Sequence, residues 1–167
     1  MRAQTDRKRL ILKQMGPYLE YREKDVGQAL LSALMRFSMK LNLSHTEMET
    51  VRDIELNCSK HISVVNDIYS WEKELKAAKN SSEEGSALCS SVLVMATEAN
   101  LSFRASKRIL WMMCREWELV HEELWARKSQ TPKCSDDLLA FIKGLEYQMS
   151  GNEAWSRSTL RYHAIQA

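Results

Sequence analysis

Apolar residues recur at three- and four-residue steps along most of this chain, the spacing of helices that bury one face. The clearest run is Val51, Ile54, Cys58, Ile62, Val65 and Tyr69. It follows Ser44 and Glu47, an S-x-x-E pair with the form of a capping box. Together these predict a helix from Ser44 to about Lys79, ended by a solvated loop, Asn80-Ser81-Ser82-Glu83-Glu84-Gly85. A second stripe, Ile109, Leu110, Met113, Trp117, Val120, Leu124 and Trp125, predicts a helix from near Ser102 to just before Thr131-Pro132. Weaker patterns predict a short helix from Thr5 to about Gln14, stopped by Gly16-Pro17, and another from Pro17 to about Leu41 with a break at Asp25-Val26-Gly27. Two more run from about Ser86 to Glu98 and, capped by Ser135, from about Asp136 to Met149. From Ser150-Gly151-Asn152 onward a loop is expected, carrying Trp155 and Arg161-Tyr162.

Composition narrows this to one all-α domain. The chain has 167 residues, enough for a single core, and only 5 Gly and 2 Pro to make tight turns. Lys+Arg 24 against Asp+Glu 22 leaves a net charge of +2, which argues for neither nucleic acid nor an anionic membrane surface. No apolar stretch approaches the roughly 20 residues of a membrane span, and the basic start, Met1 to Arg9, has no apolar segment after it. Cys58, Cys89, Cys114 and Cys134 lie too far apart for a zinc ribbon or a redox pair, so reduced thiols and a cytoplasmic location are expected.

The informative chemistry is in Asn66-Asp67-Ile68-Tyr69-Ser70-Trp71-Glu72-Lys73-Glu74. Asn66, Ser70 and Glu74 stand four residues apart, so each turns only about 40° from the one before it, beside the apolar stripe. An amide oxygen, a hydroxyl and a carboxylate are hard donors, suited to Mg²⁺, or Mn²⁺ in its place, rather than to zinc. The outer two are ~12 Å apart along the helix axis. Helical side chains lean toward the amino end, so the long Glu74 can reach back toward Ser70 and Asn66. One negative charge among three ligands leaves a divalent ion able to hold a phosphate as well. The plain alternative is a solvated helix face on which Lys73 and Glu74 make local ion pairs.

At these residues the sequence resembles the class I terpene synthases, whose second metal motif reads N-D-x-x-S-x-x-K-E; the wording is most similar to fungal sesquiterpene cyclases of the aristolochene synthase type. The resemblance implies a class I terpenoid synthase helical bundle in which Asn66, Ser70 and Glu74 bind one of three Mg²⁺ ions and Lys73 hydrogen-bonds a diphosphate. Tyr21-Arg22 ahead of Asp25-Val26-Gly27 resembles the family's diphosphate-sensing arginine and its helix break, and Arg161-Tyr162 resembles the pair that closes over the diphosphate. Trp155 matches an aromatic residue set against the carbocation. Taken singly, Arg22 reads as a surface charge and Trp155 as a packing residue; order and separation promote them.

One departure stands out: the family's aspartate-rich first motif has no counterpart among Asp6, Asp25, Asp53, Asp67, Asp136 and Asp137, and the last two read as a helix-start pair. The resemblance covers nearly all of this chain but only the carboxyl-terminal half or so of a full cyclase. The expectation is therefore a single domain, residues 1–167, truncated at its amino end. The implied activity is metal-dependent ionisation and cyclisation of a prenyl diphosphate, farnesyl diphosphate by preference, releasing inorganic diphosphate. A non-catalytic helical remnant or interaction module is the alternative, and a homo-oligomer is left open. His121-Glu122-Glu123 fails as a metalloprotease helix because Trp125 stands where the second histidine is needed. His61 reads as a core-rim residue, and Trp111, Met112 and Met113 as lining for an apolar pocket.

Overall fold

One long helix carries the apolar stripe on which the others pack. The structure, a computed structural model, describes residues 12–25, 27–80, 88–131 and 134–163. Among the described residues the chain forms seven helices and no strand: α1 Met15–Asp25, α2 Gln28–Met39, α3 His45–Glu49, α4 Arg52–Asn80, α5 Ser91–Glu98, α6 Phe103–Ser129 and α7 Asp136–Ser158. Toward its carboxyl end α4 buries Val64, Val65, Ile68 and Trp71 against Tyr18 of α1, Val92 and Val94 of α5, and Leu110 and Cys114 of α6. Toward its amino end Ile54, Cys58 and Ile62 meet Met35 of α2 and Leu138, Phe141, Ile142, Leu145 and Met149 of α7. The expected all-α bundle is the observed one.

Several boundaries differ from the sequence expectation, each for a physical reason. The Ser44–Glu47 capping box is present in full, but it starts only the five-residue α3, and a turn at Thr50–Val51 precedes α4. Gly16-Pro17 stops nothing: both lie in the first turn of α1, where proline has no helical hydrogen bond to lose. The expected helix from Thr5 lies largely outside the described residues, and residues 12–14 are not helical. The break after Asp25 is real, because Gly27 takes φ 75°, a left-handed conformation that suits glycine, and caps α2. α5 begins at Ser91, capped by the Ser90 side chain, rather than at Ser86. The largest error is at the end, where α7 continues through Ser150-Gly151-Asn152 to Ser158. Met149, Glu153 and Ser156 pack inward there, so tertiary contact overrides weak helix propensity.

The stripe read on α6 holds at Leu110, Met113, Trp117 and Leu124, which pack on the core, but not at its edges. Its buried positions are Ser106, Leu110, Cys114 and His121, whereas Ile109 and Trp125 are exposed. Two polar residues, Ser106 and His121, share the buried line. Where α7 meets α2, Gly144 allows a close approach: a Cβ there would run into the Met35 sulfur.

Asp67, buried on α4, ties three helices together. One carboxylate oxygen accepts from the Arg22 guanidinium at 3.1 Å; the other accepts from the Tyr18 hydroxyl and from the Ser91 backbone N–H at 2.8 Å. α1 and α5 are thus both pinned to α4 at one point. Burial and the facing Asp67 raise the Tyr18 pKa well above its usual value, so the phenol stays protonated and donates. Burial opposes the charge on Arg22, but Asp67, with Tyr18 and Asp25, outweighs it and keeps the guanidinium charged.

A second polar network joins α4, α6 and α7. His61 Nε2 lies 2.9 Å from Glu118, Arg115 bridges Glu118 and Glu153, and Arg157 reaches Glu153 at 2.6 Å. His61 is therefore fully buried rather than at the core rim. His121 is buried too, its Nε2 3.3 Å from the Ile142 carbonyl.

Two stability predictions follow from these groups. Asp67→Ala leaves the buried Tyr18 phenol and the Ser91 N–H without their acceptor and Arg22 with Asp25 alone, and denaturant unfolding should show a loss of about 3–5 kcal/mol. Burial lowers the pKa of both His61 and His121, so the unfolded chain takes up their protons first as the pH falls. The melting temperature should therefore decline once the pH drops below the ordinary imidazole value of about 6.5, and a flat profile from about pH 7 to 5 would contradict this.

Candidate functional site

Asn66, Ser70 and Glu74 project from successive turns of α4 on the side next to its buried stripe, Ser70 buried and the outer two half-buried. Their partners decide what they can hold. The Asn66 amide nitrogen donates to the Tyr162 hydroxyl at 2.6 Å, which leaves its carbonyl oxygen as the atom to meet a cation. The Ser70 hydroxyl is buried and completes no hydrogen bond, although it lies close enough to Glu74 to favour that residue's ionised form. Burial nonetheless leaves the Glu74 carboxyl raised above its usual pKa, with Asp67 adding to the rise and Arg22 and Lys73 opposing it.

An orphaned hydroxyl, an amide oxygen and a half-buried carboxylate on one helix face form an all-oxygen donor set for a hard divalent ion. Such an ion would satisfy the hydroxyl and compensate the desolvated carboxylate. The residues fit magnesium or manganese; zinc prefers nitrogen and sulfur.

The basic and aromatic residues singled out in the sequence are distributed around this face. Arg22 is held beside it by Asp67, the neighbour of Asn66, and by Asp25 at 2.8 Å. Its Nε is buried without a partner, one donor not spent on the two carboxylates. Tyr162 sits directly on Asn66; the ring of Trp155 packs edge-on against it at 5.6 Å, and the Arg161 guanidinium lies 5.9 Å from the Tyr162 ring centre. Lys73 is exposed on α4, Arg161 is exposed, and Trp155, helical on α7, is 48% exposed. The structure thus joins Asn66, Tyr162, Trp155 and Arg161 by contact and Arg22 through Asp67. It shows no direct contact of Lys73 with the other members of this group. The expected apolar lining is incomplete: Trp111 packs edge-on against Tyr69 at 5.8 Å, but Met112 points outward.

Sequence reasoning passed over Tyr18 and the structural role of Asp67. A signal was available, because Asp67 is flanked by Val64, Val65, Ile68 and Trp71, all buried, and a buried carboxylate requires donors. Tyr18 and Arg22, one helical turn apart, supply them.

Among the described residues one other group could coordinate a metal, His61, Glu118 and Glu153. Arg115 and Arg157 already neutralise its two carboxylates, so it serves as an ion network. The adjacent cleft of about 380 Å³ is lined by Arg115, Glu118, His121 and Glu153 among others, and by none of the α4 donors. Asp136 and Asp137 lie in the first turn of α7, as expected of a helix-start pair, and Asp137 also accepts from the distant Asn42 backbone N–H at 2.8 Å.

Comparison with known proteins identifies the family. Residues 1–118 match the family model described as terpene synthase family 2, C-terminal metal binding. The chain is 58% identical over 164 residues to an aristolochene synthase of Penicillium roqueforti, covering 98% of this chain and 48% of that one. It is 58% identical over 165 residues to the aristolochene synthase of Aspergillus terreus, covering 99% and 52%. A preasperterpenoid A synthase of Talaromyces verruculosus is 29% identical over 152 residues, covering 89% and 19%. The crystal structure of aristolochene synthase from Penicillium roqueforti superposes with a TM-score of 0.77 at 56% identity, covering 87% of this chain and 47% of that one. The chain thus spans about half the length of the aristolochene synthases it matches. With a metal-binding family model over most of its length and the same helical fold, this chain belongs to the terpene synthase family.

Proposed function

We propose that this chain is the metal-binding, carboxyl-terminal portion of a class I sesquiterpene synthase that ionises and cyclises a prenyl diphosphate, farnesyl diphosphate by preference. The observation that carries the reading is the α4 face itself: Asn66, Ser70 and Glu74 in line, with an unsatisfied buried hydroxyl at the centre and Tyr162 on the first ligand. In this reading Asn66, Ser70 and Glu74 hold Mg²⁺, which when bound supplies positive charge against the leaving diphosphate. Arg22, Lys73, Arg161 and Tyr162 contribute the remaining donors to the departing oxygens, so the C–O bond breaks without a general acid. Trp155 offers an aromatic face to the cation left behind. Inorganic diphosphate is the second product.

Two features support a portion of a larger domain. The α2 face exposes Leu30 at 64%, Leu34 at 55% and Phe37 at 84%, apolar area that a longer chain would cover. The aspartate-rich motif is absent from the sequence, so this chain supplies one of the metal sites and not the others. Among the described residues no helix is long and apolar enough to cross a membrane, and a cytoplasmic setting suits the buried thiols of Cys58 and Cys114.

Calorimetry with inorganic diphosphate tests the site. The wild-type chain should bind it only with Mg²⁺ present, and Asn66→Ala or Glu74→Ala should lower the affinity at least about tenfold while the helical signal is unchanged. Binding that is indifferent to both substitutions would refute the metal role. The isolated chain incubated with farnesyl diphosphate and Mg²⁺ should yield little or no hydrocarbon. Turnover at ordinary enzymatic rates, about 1 s⁻¹ or more, would show that the missing motif is dispensable.

A further inference from the structure

An asparagine is an ambiguous metal ligand. Its amide can present oxygen or nitrogen to a cation, and only the oxygen binds. Ser70 and Glu74 have no such choice, since whichever way a carboxylate turns it offers oxygen. Something must therefore favour one orientation of Asn66 and give its N–H₂ group an acceptor.

On the reading of Asn66, Ser70 and Glu74 proposed above, we infer that Tyr162 is the positioning residue of Asn66. Its phenol oxygen accepts from the amide nitrogen at 2.6 Å, and with the phenol proton turned to another acceptor this leaves the amide oxygen to the cation. The two residues are 96 positions apart, so this is a tertiary contact across the site rather than local helix chemistry. The segment that brings Tyr162 there is tethered at several points. Thr159 ends α7, its N–H bonding the Trp155 carbonyl at 2.8 Å, and Tyr162 N–H returns to the Thr159 carbonyl at 3.2 Å. Trp155 packs edge-on against the Tyr162 ring, and His163 packs edge-on against Tyr69 of α4 at 6.2 Å.

The phenol is suited to the task. While its oxygen accepts from Asn66, its own proton remains for a second partner, so one hydroxyl can orient the metal ligand and still donate to a diphosphate oxygen. Without the hydroxyl, the correct amide orientation leaves N–H groups unsatisfied in a half-buried position, and the metal-binding form loses part of its advantage.

The test is Mn²⁺ affinity of the full chain without diphosphate, read from the electron paramagnetic resonance signal of free Mn²⁺. Tyr162→Phe keeps the ring packing and should weaken Mn²⁺ by about three- to tenfold, the worth of one hydrogen bond. In an Asn66→Asp background the same substitution should cost nothing, because a carboxylate needs no orienting. Equal affinity for wild type and Y162F overturns the inference. So does an equal loss in both backgrounds, which would mean that the hydroxyl serves only to dock the tail. If wild-type and N66A chains bind Mn²⁺ alike, the metal reading itself is overturned, and this inference with it.

Discussion

A buried carboxylate must collect its donors or go unpaid, and Asp67 collects them from three places at once. The Tyr18 hydroxyl, the Arg22 guanidinium and the Ser91 N–H converge on it, fixing α1 and the start of α5 against α4. Neighbours on a helix point about 100° apart. Asp67 therefore faces the interior while Asn66 faces the rim, and one short stretch both locks the bundle and presents the first residue of the proposed donor face. The same contact holds Arg22 beside the donor face, so stability and electrostatics share a residue.

From that anchor the site grades outward. Ser70 is buried, Asn66 and Glu74 are half-buried, and Lys73 and Arg161 are exposed. A cation placed here would sit where its ligands are partly desolvated, which strengthens each contact, yet within reach of an anion from outside. A fully buried donor set would exclude a phosphate; a fully exposed one would hold the ion weakly. Trp155 and the α2 residues Leu30, Leu34 and Phe37 leave apolar surface open around this chain. That is in keeping with relatives about twice its length.

The network of His61, Glu118, Glu153, Arg115 and Arg157 shows the contrasting use of similar groups. Its carboxylates are matched by guanidinium groups, and it joins α4 to α6 and α7. The α4 face differs in charge balance and donor type: Asn66, Ser70 and Glu74 offer three oxygens with one carboxylate, and among the described residues no guanidinium is paired with that carboxylate as Arg115 and Arg157 are with Glu153.

The sequence by itself determined the all-α class, the S-x-x-E box, the break at Gly27 and the line of Asn66, Ser70 and Glu74, because each depends on residues within a turn or two of one another. It did not show that Ser106 and His121 join the buried line on α6 while Ile109 and Trp125 face outward, and it ended α7 at Met149 although packing carries the helix to Ser158. It read Trp155 as a loop residue for the same reason. The hydrogen bond from Asn66 to Tyr162 and the three donors on Asp67 belong to tertiary structure alone. They link residues far apart in the chain, and no local spacing rule encodes which distant helix will supply the partner for a buried polar group.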